Sequence, residues 1–497
     1  MNSKQVLWNA LTTTGQELAS AAILFFLYRF LFRTIGAAGL GVWALVLAST
    51  SVITLANQGF SSSVVKFVAK YAARGKVEDV SILIQTAFLS VSATLAVVCV
   101  ALYPAATWIL RLLLPAASVG AALAIIPWAL LSLWINASGD VFLAGLAGHE
   151  LITYRNYIVL GSSAFYLLLA YFLVPRFGLL GLAYAQVVEA VVAFVAMWIL
   201  LRRQLPSLPM VPNRWSYARF REMLEYGAEL QFITVCQAVR EPVTKALLAK
   251  FAGLAATGFY DMASRWVVSF RELIVQANQV LVPTIANLQE RDPESLPRIY
   301  RDSYRVILYL AVPTFAFLLL VSPIVSFVWL GSYQPVFVCF VALLALGWLV
   351  NVLSNPAYVV NLGTGALRWV SIGCAATAVL TVVLGVTFAK TLGGTGVVLA
   401  SVISLALGYV LVVISFHLEN RMPFRVLLPR ESSSLIVSGV FSVGSFFFFF
   451  RNPHISPFSI RATSGLLATI LFLIAIPAWS HPLRRRLLRW VSSRLPA

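Results

Sequence analysis

"RTIGAAGLGVW" runs from Arg33 to Trp43, and "KFAGLAATGFY" runs from Lys250 to Tyr260. Aligned without a gap, they match a basic residue first, then Gly36 with Gly253, Gly41 with Gly258, and Trp43 with Tyr260. A second pair lies further on at nearly the same separation. "FGLLGLAYA" from Phe177 and "LGGTGVVLA" from Leu392 place Gly178 with Gly393, Gly181 with Gly396, and Ala185 with Ala400. Between these blocks, Gly148 falls opposite Gly365. Three blocks at nearly one register make an internal repeat. Small residues let helix backbones approach closely, so these glycines are expected at tight helix crossings.

What repeats is membrane helix. The chain has 497 residues, of which 60% are hydrophobic and 11% charged, and its mean hydropathy is +0.89. A soluble domain carries about 25% charged residues. A bilayer span needs about 20 mainly apolar residues. Such runs lie near 8–32, 38–58, 81–103, 120–147, 154–174, 178–201, 222–248, 254–282, 304–330, 333–354, 367–389, 393–416, 433–450 and 463–480. The expected fold is therefore an all-α polytopic membrane protein with about fourteen spans. Continuous runs of this length exclude a barrel of short alternating strands. The first run is too long for a signal-peptide core and reads as a retained helix.

Each repeat holds about six spans. An even number makes both halves run the same way through the membrane, as parallel repeats related by an axis along its normal. The expected domains are a six-helix lobe at 1–210, a second at 211–420, and two further spans with a basic tail at 421–497. The substrate site of a transporter built this way lies near the midplane, between the halves.

The net charge of +18 follows from the positive-inside rule. With the N-terminus in the cytoplasm, inner loops carry Lys70, Arg74, Lys76, Arg155, Arg202, Arg203, Arg214, Arg219 and Arg221. They also carry Arg291, Arg298, Arg301, Arg305, Arg368, Arg421, Arg425 and Arg430, and the tail adds Arg484, Arg485, Arg486, Arg489 and Arg494. Outer loops hold fewer, so both termini are expected in the cytoplasm. No basic patch interleaved with aromatics stands in a sizeable soluble region, so a nucleic-acid partner is not expected. Cys99, Cys236, Cys339 and Cys374 sit singly in apolar runs, with no metal-ligand spacing. No metal and no resident cofactor are expected.

The stretch "RFLFRTIGAAGLGVWALV", the GxxGxAxA pattern at Gly178, and two six-helix lobes with two appended spans resemble the MOP exporter superfamily. Within it the chain is similar to the polysaccharide-transporter branch, the Wzx-like O-antigen flippases. The copy at Gly393 departs from the pattern, with Val398 where Ala183 stands in the first lobe. The resemblance implies export of a polyprenyl-pyrophosphate-linked oligosaccharide by alternating access across the bacterial cytoplasmic membrane. It also implies membrane lipids and polysaccharide assembly proteins as partners.

Charges inside the spans mark the candidate site. In "QFITVCQAVREPVTKALLAKFAG", Gln231 to Gly253, the residues Thr234, Gln237, Glu241 and Lys245 share one helical face, flanked by Arg240. Glu241 precedes Lys245 by four, the favourable order for a pair within a helix. Pro242 removes a helical hydrogen bond to the carbonyl of Ala238. In the next span Asp261, Arg265, Val268, Glu272, Gln276 and Gln279 again step by three or four, and Arg271 lies beside Glu272. The matching span of the first half holds Asn57, Gln58 and Lys66. Lipid does not tolerate such faces, so they look into protein or water.

Arginine's planar fork suits phosphate. Arg240, Arg265, Arg271, Lys245 and Lys66 are the candidate cations for a pyrophosphate. Asn57, Gln58, Gln237 and Gln276 are the candidate sugar contacts. Glu241, Asp261, Glu272 and Glu17 are candidates for a coupling proton or sodium ion. The plainer alternative is that these charges neutralise one another in structural pairs. Competing functions are lipid II export, which uses the same headgroup chemistry, and ion-coupled antiport. A membrane glycosyltransferase or polymerase would need a catalytic constellation on a substantial outer loop, and the outer loops are short. No catalytic residue is expected.

Overall fold

The computed structural model describes residues 3–149, 151–279, 285, 288–289, 292–429, 432–435, 437–441, 444, 467, 469–470 and 473. Side chains at 3–11, 14, 51–59, 73, 152, 225–231, 238, 277, 279 and 293 lie outside the description. Among the described residues every regular element is helical. The long helices are α1 (Ser3–Ala73), α2 (Val77–Leu113), α3 (Ala116–Gly148), α4 (Ile152–Phe177) and α5 (Leu179–Gln204). They continue with α6 (Tyr217–Phe251), α7 (Gly253–Gln279), α8 (Leu296–Leu330), α9 (Pro335–Thr364) and α10 (Arg368–Glu419).

Two of these helices are broken by a glycine. Gly36 (φ 71°, ψ 176°) divides α1 into two arms, and Gly393 (φ 57°, ψ −139°) divides α10. Counting each arm separately, the described residues form six long helical segments before residue 205 and six between 217 and 419. Half of the expected span at 433–450 and most of that at 463–480 lie outside the described residues, as do Phe446 to Phe450 and the basic tail. Eight of the described helices are long and apolar enough to cross a membrane. Those that fall short are α6 and α7, which carry the charged stripes. Pro242 sits within α6 without ending it.

The repeated glycines divide into two kinds. Gly178 joins α4 to α5 at φ 58°, ψ −133°, nearly the backbone of its counterpart Gly393. Gly36 and Gly253 both have positive φ, 71° and 87°. A side chain strains such a backbone, so glycine is needed there for conformation rather than for packing. The expectation of tight crossings holds for the other four. A Cβ on Gly181 would collide with the Leu173 carbonyl oxygen, and one on Gly396 with that of Phe388. Leu173 and Phe388 are themselves a repeat pair. A Cβ on Gly41 would collide with the Leu254 carbonyl oxygen, and one on Gly258 with that of Ala37. The third block is looser. Gly148 ends α3 tightly against Val68, whereas Gly365 caps α9 in a left-handed turn at φ 76°.

By packing, the chain forms two compact units, Met1–Met262 with Ala378–Val397, and Ala263–Thr377 with Val398–Ala497. Packing thus divides the chain differently from the sequence repeat, because α6 packs along α1 inside the first unit. The first unit has an aromatic core of Phe88, Phe142, Phe194 and Trp198 on α2, α3 and α5. The second has one of Trp266, Phe270, Trp329 and Phe337.

Candidate functional site

In the first unit, the charges of α6 and the start of α7 close on one another. Lys245 Nζ lies 2.7 Å from Asp261 Oδ1 and 3.1 Å from Glu241 Oε1. The Tyr28 hydroxyl donates to Asp261 Oδ2 at 2.6 Å. Arg240 lies close enough to Tyr260 and Glu241 for its charge to act on both. Two bases thus offset two acids. Arg240, Lys245, Tyr260 and Asp261 are all buried, and only Glu241 reaches out, with 38% of its side chain exposed. Taking such charges out of water is tolerable only when each is paired and hydrogen-bonded.

The spacing that put Glu241 and Lys245 on one face is realised as an ion pair. Gln237, one turn earlier, is exposed. Lys66 is exposed on the second arm of α1, with its ammonium 5.6 Å from the Phe67 ring centre. Glu17 is half-buried on the first arm. Asn57 and Gln58 belong to the side chains outside the description.

The second unit holds another polar group. Arg271 pairs with Glu272 and donates Nε to Asn351 Oδ1 at 2.8 Å. Its guanidinium carbon stands 4.8 Å over the Trp348 ring, in cation–π range. Glu272 keeps 37% of its side chain exposed and Arg271 19%. One turn beyond, Gln276 is exposed, and Arg265 earlier on α7 is half-buried. Deeper down, Asn278 donates to Asn355 at 2.7 Å, and the Ser303 hydroxyl donates to Asn278 at 2.6 Å. Separately, α8, α9, Gly439, Val440 and Gly444 line an apolar cavity of about 470 Å³.

A third charged group joins the end of α1, the start of α2 and the start of α6. Lys70 Nζ meets Glu222 at 2.9 Å, and the Tyr71 hydroxyl donates to Glu222 at 2.7 Å. Arg219 bridges Asp79 at 2.9 Å and Glu222 at 3.2 Å, and also donates to Tyr71. Burial, reinforced by the hydrogen bond to Glu222, pushes the Tyr71 hydroxyl up to about 12. It therefore stays a donor at neutral pH. The preceding segment is pinned along α2: Gln85 Oε1 accepts from the Asn213 and Arg214 amides at 3.1 Å, and the Ser216 amide donates to Thr86 at 3.1 Å.

Sequence reasoning missed Tyr28, Tyr260, Asn351 and Trp348. Asn351, Asn355 and Asn361 had a signal, since three amides punctuate an otherwise apolar helix. Tyr28 had none.

The sequence pattern of a family described as polysaccharide biosynthesis protein matches residues 30–338. No curated protein matches the chain in sequence. Among solved structures, the lipid II flippase MurJ in an inward closed conformation is similar with a TM-score of 0.71 at 12% identity, covering 97% of this chain and 100% of that one. An inward-facing multidrug-resistance MATE family transporter of the MOP superfamily gives 0.69 at 17% identity, covering 84% and 99%. A MOP superfamily transporter from Pyrococcus furiosus, for which a binding pocket of reversed polarity is described, gives 0.60 at 14% identity, covering 83% and 95%. At these identities the likeness is one of fold, and the fold is that of the MOP transporters. The family match spans more than half of the chain, so this membrane protein belongs to the polysaccharide biosynthesis protein family.

Proposed function

We propose that this protein is a flippase that exports a polyprenyl-pyrophosphate-linked oligosaccharide across the cytoplasmic membrane by alternating access. The observation that carries this reading is the half-buried Arg265 and Arg271 on α7, a helix too polar for lipid in a protein of polysaccharide biosynthesis. Partly exposed guanidinium groups suit an anionic headgroup, and Gln237 and Gln276 supply amides for sugars. Arg240 and Lys245 serve first as partners of Glu241 and Asp261. They reach the cargo only when that cluster opens. Glu17, Glu241, Asp261 and Glu272 remain the candidates for a coupling proton or sodium ion.

A flippase is favoured over a drug antiporter by coverage. MurJ matches 97% of this chain, whereas the MATE structures match 82–85%. The test is purified protein in vesicles carrying a fluorescent polyprenyl-pyrophosphate oligosaccharide. Protein-dependent movement between leaflets is expected. Well-folded protein that moves only organic cations would overturn the reading.

The orientation is part of the proposal, and it rests on the basic bias of the inner loops. Reporters fused within residues 203–218 and at the C-terminus should both report the cytoplasm. An outside signal from either would reverse the map.

A further inference from the structure

The far end of α10 shapes a cavity that the candidate transport site does not use. Beyond Glu419 the chain turns back through Arg421 and forms a short 3₁₀ turn at Phe424–Leu427. That turn is fastened to the second unit. The Phe424 ring stacks on His417 with centres 5.1 Å apart, and the Tyr304 hydroxyl donates to the Leu427 carbonyl at 3.2 Å. Next to it lies an apolar cavity of about 370 Å³, walled by Tyr304 on α8, Leu353 on α9, Tyr409 and Val413 on α10, and Phe424 and Leu427 of the turn. Val410 and Ile414 also line it and are exposed, so among the described residues it opens on the outward face of α10.

The depth of the cavity fits one lipid leaflet. Tyr409 lies about 15 Å inside the end of α10 at Glu419, at 1.5 Å per residue. One leaflet supplies about half of the ~30 Å hydrocarbon core. The turn therefore stands at the level of the headgroups, and the cavity at the level of the acyl chains. The turn also carries charge. Arg421 and Arg425 are exposed, and neither makes an ion pair among the described residues. Phe424, between them, and Leu428, just beyond, are exposed too. Glu419, the acid nearest in sequence, is engaged by Trp369, whose Nε1 donates to it at 2.6 Å. Water alone suits the two arginines but not the apolar side chains beside them, whereas a phospholipid suits both.

We propose that this is a binding site for one anionic phospholipid, with an acyl chain in the cavity and the phosphate at Arg421 and Arg425. Arginine's planar fork matches phosphate, and basic pockets between helices are the usual seat of such headgroups. A zwitterionic lipid fits less well, because the nearby carboxylate that would receive its cationic group is already engaged. The proposed orientation assigns the lipid to the inner leaflet, but the binding itself does not depend on it.

The experiment uses the purified full chain in neutral detergent micelles, where neither orientation nor transport enters. Dioleoylphosphatidylglycerol and dioleoylphosphatidylcholine are titrated separately, and bound lipid is counted by mass spectrometry of the intact complex. The anionic lipid is expected to bind the more tightly, as a single molecule. In the double variant Arg421→Asn with Arg425→Gln its binding should weaken about thirtyfold, at about fivefold for each cation near an anionic surface. Asparagine suits position 421, where φ is 49°. Binding of the neutral lipid should be unchanged. Val410→Trp or Ile414→Trp, which fill the mouth of the cavity, should weaken both lipids. Equal binding of the two lipids by the unchanged protein would overturn the proposal. So would undiminished phosphatidylglycerol binding in the double arginine variant or in a folded tryptophan variant. If neither tryptophan variant folds, the arginine variant still decides, since it alters only exposed side chains. Displacement of phosphatidylglycerol by a lower concentration of a polyprenyl phosphate would also overturn it, and would give the cavity to the carrier of the cargo. A protein that binds phosphatidylglycerol here but flips no lipid-linked sugar would keep this site and lose the flippase reading.

Discussion

Asp261→Ala should strip most of the protein from the membrane. The substitution leaves Lys245 buried, 6% exposed, without the closer of the two carboxylates it pairs with. It also removes the carboxylate that the Tyr28 hydroxyl donates to. Removing one member of a buried ion pair typically costs about 3–5 kcal/mol. At about 1.4 kcal/mol per tenfold, that is two to three and a half powers of ten in the folded ratio. The cost comes from the stranded charge rather than from the lost attraction. Replacing the whole group with apolar side chains should therefore recover much of it, as in Tyr28→Phe, Lys245→Met and Asp261→Leu together. Membrane abundance and thermal unfolding in detergent measure both. A normal melting temperature for Asp261→Ala alone would show that the pair is not holding the fold. Full recovery of abundance without flipping in the triple variant would assign the cluster a transport role as well.

The repeat was legible because glycine is the residue that both backbone demands select. Gly36, Gly178, Gly253 and Gly393 sit at positive φ, and Gly41, Gly181, Gly258 and Gly396 sit where a Cβ would strike a carbonyl. Either demand fixes the residue type, so the blocks stand out even between halves that otherwise differ. Their separate tasks were not legible, since sequence alone does not tell a turn from a crossing. The same limit governs the charges. The spacing of Glu241 and Lys245 gave their pair, because helical geometry is local. Asp261 and Tyr28 are 233 residues apart, and Arg271 and Asn351 are 80 apart. Those partners are set by which helices pack together, and no periodicity carries that information. The packing of α6 along α1 was hidden for the same reason. It gives the first compact unit boundaries that differ from those of the repeat.

Arg265 offers a test that reads transport and folding side by side. It is half-buried on α7, one turn beyond Asp261. If Arg265 binds pyrophosphate, Arg265→Ala removes charge-assisted hydrogen bonds worth roughly 1.5–3 kcal/mol in total. Flipping should then fall by about one to two powers of ten where binding limits it, at about 1.4 kcal/mol per factor of ten. Abundance should stay near that of the unchanged protein. Arg265→Lys keeps the charge but loses the planar fork, so it should restore only part of the rate. A purely structural Arg265 makes a different demand: low abundance together with low flipping. Flipping and abundance measured together for Arg265→Ala and Arg265→Lys decide between them. Normal flipping by abundant Arg265→Ala would end its role at the headgroup. Weak flipping at normal abundance, with part of the rate restored by Arg265→Lys, would support contact with the cargo, because a merely structural loss lowers abundance in step with flipping.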